Sequence, residues 1–304
     1  MIVLDTIFPL FALVLLGSFL KNTGITNDSF LKTSDKLVYY VFFPMMLFWK
    51  IGNSAGNGGI SIGLCVAGIS AVTLVFFLSL GFIIKSGMPG FHAGSFSQSC
   101  YRFNGYIGMA LILNIQGEAG IRHFGVLVGI LIPLINVLAV SVLIWYSSQD
   151  LPKKDKLRFF IKALISNPLI LGCVAGFLVS RSAFVFPGFL NNTFSLMTAV
   201  TLPLALISIG GSLRFKGLAC HTRTSFAAAG FKLLLLPVLG FIFLKIFHVT
   251  GIPFKTGMIF FSLPTSTAIY VLSAQLNSDI ELASAAIMLS TLLSFIPLSI
   301  ALIL

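Results

Sequence analysis

The sequence predicts an all-α polytopic membrane protein: ten transmembrane helices arranged as two inverted five-helix repeats, with interrupted, crossing helices 4 and 9. Three observations carry that reading. Of the 304 residues, 57% are hydrophobic and 9% are charged, too little charge for a water-soluble domain. Ten apolar runs follow one another, each near the ~20 residues that cross a bilayer. Landmark residues of the first half recur in the second at a shared offset.

The spans run approximately over 5–21, 34–51, 60–84, 93–113, 121–147, 160–180, 191–212, 219–246, 254–275 and 281–303. Met1-Ile2-Val3-Leu4-Asp5 has no basic residue before its apolar run, so it lacks the n-region of a cleavable signal and leads into the first span. Connections are short, with one hydrophilic joint at Ser147-Ser148-Gln149-Asp150-Leu151-Pro152-Lys153-Lys154-Asp155-Lys156. The chain therefore divides into a first five-helix repeat over 1–147, a cytoplasmic linker over 148–158 and a second repeat over 159–304.

Placing the N-terminus outside puts twelve Lys and Arg residues on the inner face and five on the outer. By the positive-inside rule both termini then lie on the non-cytoplasmic side. The same loop placement accounts for the net charge of +11, which does not point to nucleic acid. No G-x-x-x-x-G-K-[ST] loop is present, which argues against nucleotide hydrolysis by the chain itself. Cys65, Cys100, Cys173 and Cys220 show no C-x-x-C spacing and read as small buried hydrophobes.

The repeat rests on an offset of 159 residues. Pro9-Leu10 with Gly17 recurs as Pro168-Leu169 with Gly176, and Pro44 with Gly52 recurs as Pro203 with Gly211. Asn114 and Asn136 align with Gln275 and Pro297 at an offset of 161. Five is an odd number of spans, so the second copy enters the membrane from the opposite side.

The fourth span contains Arg102-Phe103-Asn104-Gly105-Tyr106-Ile107-Gly108 near its middle. A charged residue at a helix centre costs about 2.5–3.5 kcal/mol on insertion scales, so Arg102 is expected to face protein, water or a ligand. Gly105 and Gly108 weaken the helix beside it. The ninth span carries Ser262-Leu263-Pro264-Thr265-Ser266-Thr267 at the matching place. Pro264 cannot donate a backbone hydrogen bond, which would release the carbonyl of Phe260. Interrupted spans at corresponding places in two halves point to a transport site.

These residues resemble the auxin efflux carrier family, including its bacterial organic-acid permeases. The likeness is carried by R-F-N-G-Y-I-G, by Gly129 and Asn136 of the fifth span, by Lys232-Leu233-Leu234-Leu235-Leu236-Pro237 and by Ser290-Thr291-Leu292-Leu293-Ser294. It implies a scaffold of spans 1, 2, 6 and 7 and a transport bundle of spans 3–5 and 8–10, with spans 4 and 9 crossing. It implies a bacterial cytoplasmic (inner) membrane, a homodimer and an organic-anion substrate such as malate, malonate or an aromatic carboxylate. By matching position, Asn104 resembles the family's substrate-proximal asparagine. Met109-Ala110 follows Gly108 where plant members carry a proline.

Each residue also has a plainer reading. Arg102 either forks onto a substrate carboxylate or ties neighbouring carbonyls. Asn104 either donates to an anion or bonds between helices. Lys232 is either an internal counter-charge or an amine held by unwound carbonyls. Glu118, Asp279 and Glu281, beside span ends, are the acids nearest the proposed crossing, and Glu118 and Asp279 are the candidates for a coupling proton. His92, His123, His221 and His248 show no i, i+4 pairing and read as loop histidines without a metal site. Gly59-Ile60-Ser61-Ile62-Gly63 matches G-x-S-x-G but opens a membrane helix, so it is a chance match. Gly125 and Gly129 form a G-x-x-x-G pair suited to packing inside the bundle.

The expected function is a secondary active transporter of a small organic anion, working by alternating access in the lipid bilayer. Its binding residues would be Arg102, Asn104, Gly105, Gly108, Pro264, Thr265, Ser266 and Thr267, and no cofactor or metal is expected. An enzyme would need an acid–base or nucleophile–base set at depth, where the chain offers only cations. An anion channel or uniporter, or a membrane sensor that moves nothing, is the alternative.

Overall fold

The computed structural model describes residues 2–53, 61–146, 167–182, 184–212 and 221–304. The linker predicted over 148–158, the start of the sixth predicted span and the first two residues of the G-x-S-x-G stretch lie outside them. Among the described residues every regular element is helical. In order these are α1 (Ile2–Asn22), α2 (Asp28–Leu37), α3 (Phe43–Asn53), α4 (Ile62–Ser86), α5 (Gly90–Tyr101), α6 (Gly105–Tyr146), α7 (Pro168–Arg181) and α8 (Gly188–Ser212). There follow α9 (Thr222–Gly230), α10 (Leu236–Ile246), α11 (Gly251–Ser262), α12 (Ala268–Gln275), α13 (Ile280–Leu293) and α14 (Phe295–Ile303). Single π-helical turns, Val38–Phe42 and Phe231–Leu235, join α2 to α3 and α9 to α10.

Among the described residues, four helical stretches are long and apolar enough to cross a membrane: Ile62–Ser86, Gly90–Tyr146, Gly188–Ser212 and Thr222–Ile246. The bent pair α13–α14, with an angle of 41°, makes a fifth, and Ile7–Asn22 and Pro168–Arg181 are apolar but shorter. The ten predicted runs are thus not ten uninterrupted rods. The predicted gap between the fourth and fifth spans is helical, turning at Gly117, whose φ of 59° and ψ of −144° suit a residue without Cβ. The ninth run is two helices separated by five non-helical residues.

The chain forms two compact units. The first comprises Met1–Ser61, Tyr106–Ile130 and Ile165–Leu213. Within it α1 packs on α8 and α3 on α7. Glycine permits both contacts. A Cβ on Gly17 would lie 2.0 Å from the carbonyl oxygen of Ile207, and one on Gly210 would lie 1.8 Å from that of Val14. Gly172 and Gly176 approach the carbonyls of Pro44 and Phe48 in the same way. The contacts Gly17–Ile207 and Gly176–Phe48 are reciprocal: one offset of 159 residues relates Gly17 to Gly176 and Phe48 to Ile207. Small residues letting backbones touch is how helices associate where lipid supplies no hydrophobic drive. Gly125 packs on the side chain of Ile51 inside this unit. Polar groups are tied locally, with Trp49 Nε1 donating to Asn191 Oδ1 at 2.8 Å and Lys50 Nζ lying 3.0 Å from Glu118 Oε1.

The second unit comprises Ile62–Gly105, Leu131–Leu164 and Arg214–Leu304. Its core is aromatic and aliphatic. Phe82 stacks on Phe96, and Phe76 meets Tyr101 edge-on. Phe103 and Phe260, beside the two helix breaks, meet edge-on with ring centroids 4.6 Å apart. Phe261 fills the space where Gly240 has no side chain, an added Cβ there coming within 2.1 Å of its ring.

Gly210→Val forces a branched side chain into the Val14 backbone and is expected to destabilise by about 1–3 kcal/mol or more. Gly188→Ala, where nothing lies within 4 Å of an added Cβ, is expected to leave stability unchanged. Thermal unfolding of the two variants in the same detergent checks the difference.

Candidate functional site

The site is built where two helices of the second unit stop. α5 ends at Tyr101, and the chain runs extended through Arg102, at φ −66° and ψ 147°, before α6 begins at Gly105. α11 ends at Ser262, and Leu263 is likewise extended, at φ −63° and ψ 146°. α12 then begins at Ala268. Each break removes backbone hydrogen bonds, and buried backbone groups must find other partners.

The two breaks supply partners to each other. The Asn104 amide donates to the Pro264 carbonyl at 2.9 Å, and Thr265 Oγ1 donates to the Ser99 carbonyl at 2.7 Å. The Thr265 amide, which would have continued α11, donates instead to Ser290 Oγ at 3.1 Å on α13. Pro264 does deprive Phe260 of its usual partner, yet that carbonyl is not left open, because the Leu263 amide takes it up at 3.3 Å. The carbonyl exposed in its place is that of Phe261, and Lys232 Nζ reaches it at 3.4 Å.

Lys232 is fully buried and sits on the π-helical turn between α9 and α10. That turn is a local unwinding of the kind found at functional positions. Its ammonium lies at the C-terminal end of α11, where the peptide dipoles favour positive charge. Arg102 occupies the matching position at the end of α5. Its side chain is 7% exposed, with Nη1 donating to Gln98 Oε1 at 3.1 Å and Nη2 to Asn136 Oδ1 at 2.7 Å. Both acceptors are side-chain amide oxygens, and these bonds orient the guanidinium. Each half-helix that stops at a break therefore has a cation beside its negative end.

The structure brings Arg102, Asn104, Gly105, Pro264, Thr265, Ser266 and Thr267 to the two breaks of one unit. Asn104 is 1% exposed and Thr265 fully buried, whereas Gly105, Ser266 and Thr267 are partly open. Thr265 spends its hydroxyl proton on the opposite break, and Ser266 Oγ accepts from the Ala268 amide, starting α12. Gly108 lies inside α6, and both glycines follow the break rather than forming it. The interruption comes earlier because the Asn104 amide is drawn away to Pro264. Glu118 belongs to the first unit, with its carboxylate on Lys50 and its side chain 58% exposed.

Asp279 is 3% exposed and caps α13 through Oδ1, which accepts from the amides of Glu281 and Leu282 at 2.9 and 3.0 Å. Its other oxygen faces His92 and His221, two histidines that show no relation by spacing. Sequence reasoning also missed Gln98 and Asn136 as holders of Arg102. Gln98 stands one helical turn before the arginine, an i, i+4 spacing that could have been read. The serine network of Ser95, Ser273 and Ser278, at 2.8–3.0 Å, has no such signal.

Long apolar helices carrying a mutually braced pair of polar breaks define a polytopic membrane transport protein. Comparison with known proteins bears this out. The family model described as membrane transport protein matches residues 152–302. An uncharacterized transporter of Methanocaldococcus jannaschii is 24% identical over 310 residues, covering 97% of this chain and 96% of its own. An uncharacterized transporter of Methanothermobacter thermautotrophicus is 22% identical over 301 residues, covering 97% and 95% respectively. Over residues 152–302 the chain is similar to the membrane transport protein family, that of the auxin efflux carriers.

Thr265→Val removes the hydroxyl that joins the two breaks and leaves the Ser99 carbonyl without that donor. A loss of about 1–2 kcal/mol is expected, with Thr265→Ser recovering most of it. Thermal denaturation in detergent, followed by tryptophan fluorescence, checks both.

Proposed function

We propose that the chain is a secondary active transporter of a small organic anion, a mono- or dicarboxylate, working by alternating access. The observation that carries this reading is the interlocking of the breaks at 102–104 and 263–267 within one unit. Two helices, α6 and α12, begin there. Their positive dipole ends favour an anion. Arg102 supplies full charge, held in place by Gln98 and Asn136. Asn104, Ser266 and Thr267 supply polar groups around it, and Gly105 leaves the backbone accessible. Lys232 acts as an internal counter-charge on the Phe261 carbonyl, where a sodium-coupled carrier would hold a cation.

The reciprocal contacts Gly17–Ile207 and Gly176–Phe48 support two repeats of opposite orientation. The meeting of His92, His221 and Asp279 supports the ten-span topology as well, since it requires the joints after the third, seventh and ninth spans to share one face. Loop charge assigns that face to the cytoplasm and both termini to the other side.

Purified protein reconstituted into liposomes is expected to take up radiolabelled malonate or malate saturably and to show counterflow. Arg102→Ala should reduce uptake to the level of empty liposomes, and Arg102→Lys should retain part of it. Wild-type uptake by Arg102→Ala would contradict the site, and large single-channel currents would indicate a channel in place of a carrier.

A further inference from the structure

The second unit holds a second polar cluster, at the opposite end of α5 from its break. His92 lies in the first turn of α5, His221 directly precedes α9, and Asp279 directly precedes α13. His92 Nδ1 lies 2.5 Å from Asp279 Oδ2, and His221 Nε2 lies 3.5 Å from the same oxygen. Glu281 Oε2 stands 4.0 Å from His221 Nε2. One ligand atom from each of His92, His221 and Asp279 falls within 4.8 Å of the others.

We propose that His92, His221 and Asp279, with Glu281 as an outer fourth ligand, form a binding site for a zinc-class divalent transition-metal ion. The donor set is two imidazoles and one or two carboxylates, which suits zinc, cobalt or iron and not the all-oxygen preference of magnesium or calcium. Two carboxylates match the charge of a divalent ion.

The geometry favours an ion over a simple ion pair. Two ring nitrogens from different elements converge on one carboxylate oxygen, which a single hydrogen bond does not require. The other oxygen of Asp279 is fixed by two backbone amides and its own amide by the Phe91 carbonyl at 3.0 Å, so the converging oxygen is held in place from outside the site. In a tetrahedral zinc site ligand atoms lie about 2.0–2.2 Å from the ion and hence roughly 3.3 Å apart, close to the His221–Asp279 separation. His92 has to withdraw by roughly 1 Å to admit the ion. Its side chain is 31% exposed and that of Glu281 is 73% exposed, leaving room for this movement and a route from solvent. Occupied, the site would clasp the N-terminal ends of α5, α9 and α13, the frame around both breaks.

The test is titration of full-length, tag-free, metal-free protein in detergent with cobalt(II) chloride, followed by visible absorption, with zinc chloride as competitor. One equivalent of cobalt per chain, with a d–d spectrum of four- or five-coordinate type displaced by zinc, is expected, together with a zinc-dependent rise in apparent Tm that magnesium does not reproduce. His92→Asn and His221→Asn should each weaken cobalt binding at least about tenfold. Glu281→Gln, at an exposed position that cannot compromise folding, should weaken it less and alter the spectrum. No cobalt spectrum in the wild-type protein, or an unchanged spectrum in the double variant His92→Asn/His221→Asn, would overturn the site. So would histidine variants that lower Tm equally with and without zinc, which would mark a plain histidine–aspartate contact. Transport of malonate is not read in this test, so its outcome stands apart from that of the transport site.

Discussion

Two interrupted backbones can lie inside an apolar bundle only if each supplies what the other lacks. That exchange is the constraint on which the second unit depends. The Asn104 amide and the Ser99 carbonyl, both set free by the stop in α5, are answered by the Pro264 carbonyl and the Thr265 hydroxyl. Ser290 and Lys232 satisfy what remains at the end of α11. In hydrocarbon an unmet amide or carbonyl costs several kcal/mol, so these bonds permit the breaks as well as locating them. The first unit solves a different problem with different means. Its glycines bring helix backbones into direct contact.

This arrangement explains how a cation is kept deep in the protein. Arg102 sits at the negative end of α5 and Lys232 at the negative end of α11, so part of the burial cost of each is offset by helix dipoles. The side-chain amides of Gln98 and Asn136 orient the guanidinium. For the proposed transport, the anion's surroundings would be mostly backbone and fixed dipoles. Such a site would need little rearrangement to accept charge.

Much of this could be read from the chain before folding. Hydropathy located the apolar helices, and the cluster of Arg102, Asn104 and Pro264 marked where helices give way, because such residues are costly in a continuous span. The resemblance to the family followed from the same residues. Boundaries were less legible: Gly117 turns a helix that hydropathy divides in two, since φ and ψ leave no trace in composition. Pro264 pointed to the wrong carbonyl because a neighbouring amide, Leu263, could swing onto Phe260. The histidine–aspartate cluster was illegible, since His92 and Asp279 are separated by 187 positions and only the fold joins them. Roles that follow from local chemistry were visible, and roles that follow from convergence were not.

The most direct measurement is an electron cryo-microscopy structure of the protein in a lipid nanodisc, with malonate at saturating concentration. The account predicts non-helical density at 102–104 and 263–267, a hydrogen bond from Thr265 to Ser99, and ligand density at the starts of α6 and α12 within reach of Arg102. Continuous helices through either segment, or a carboxylate bound away from both, would contradict it.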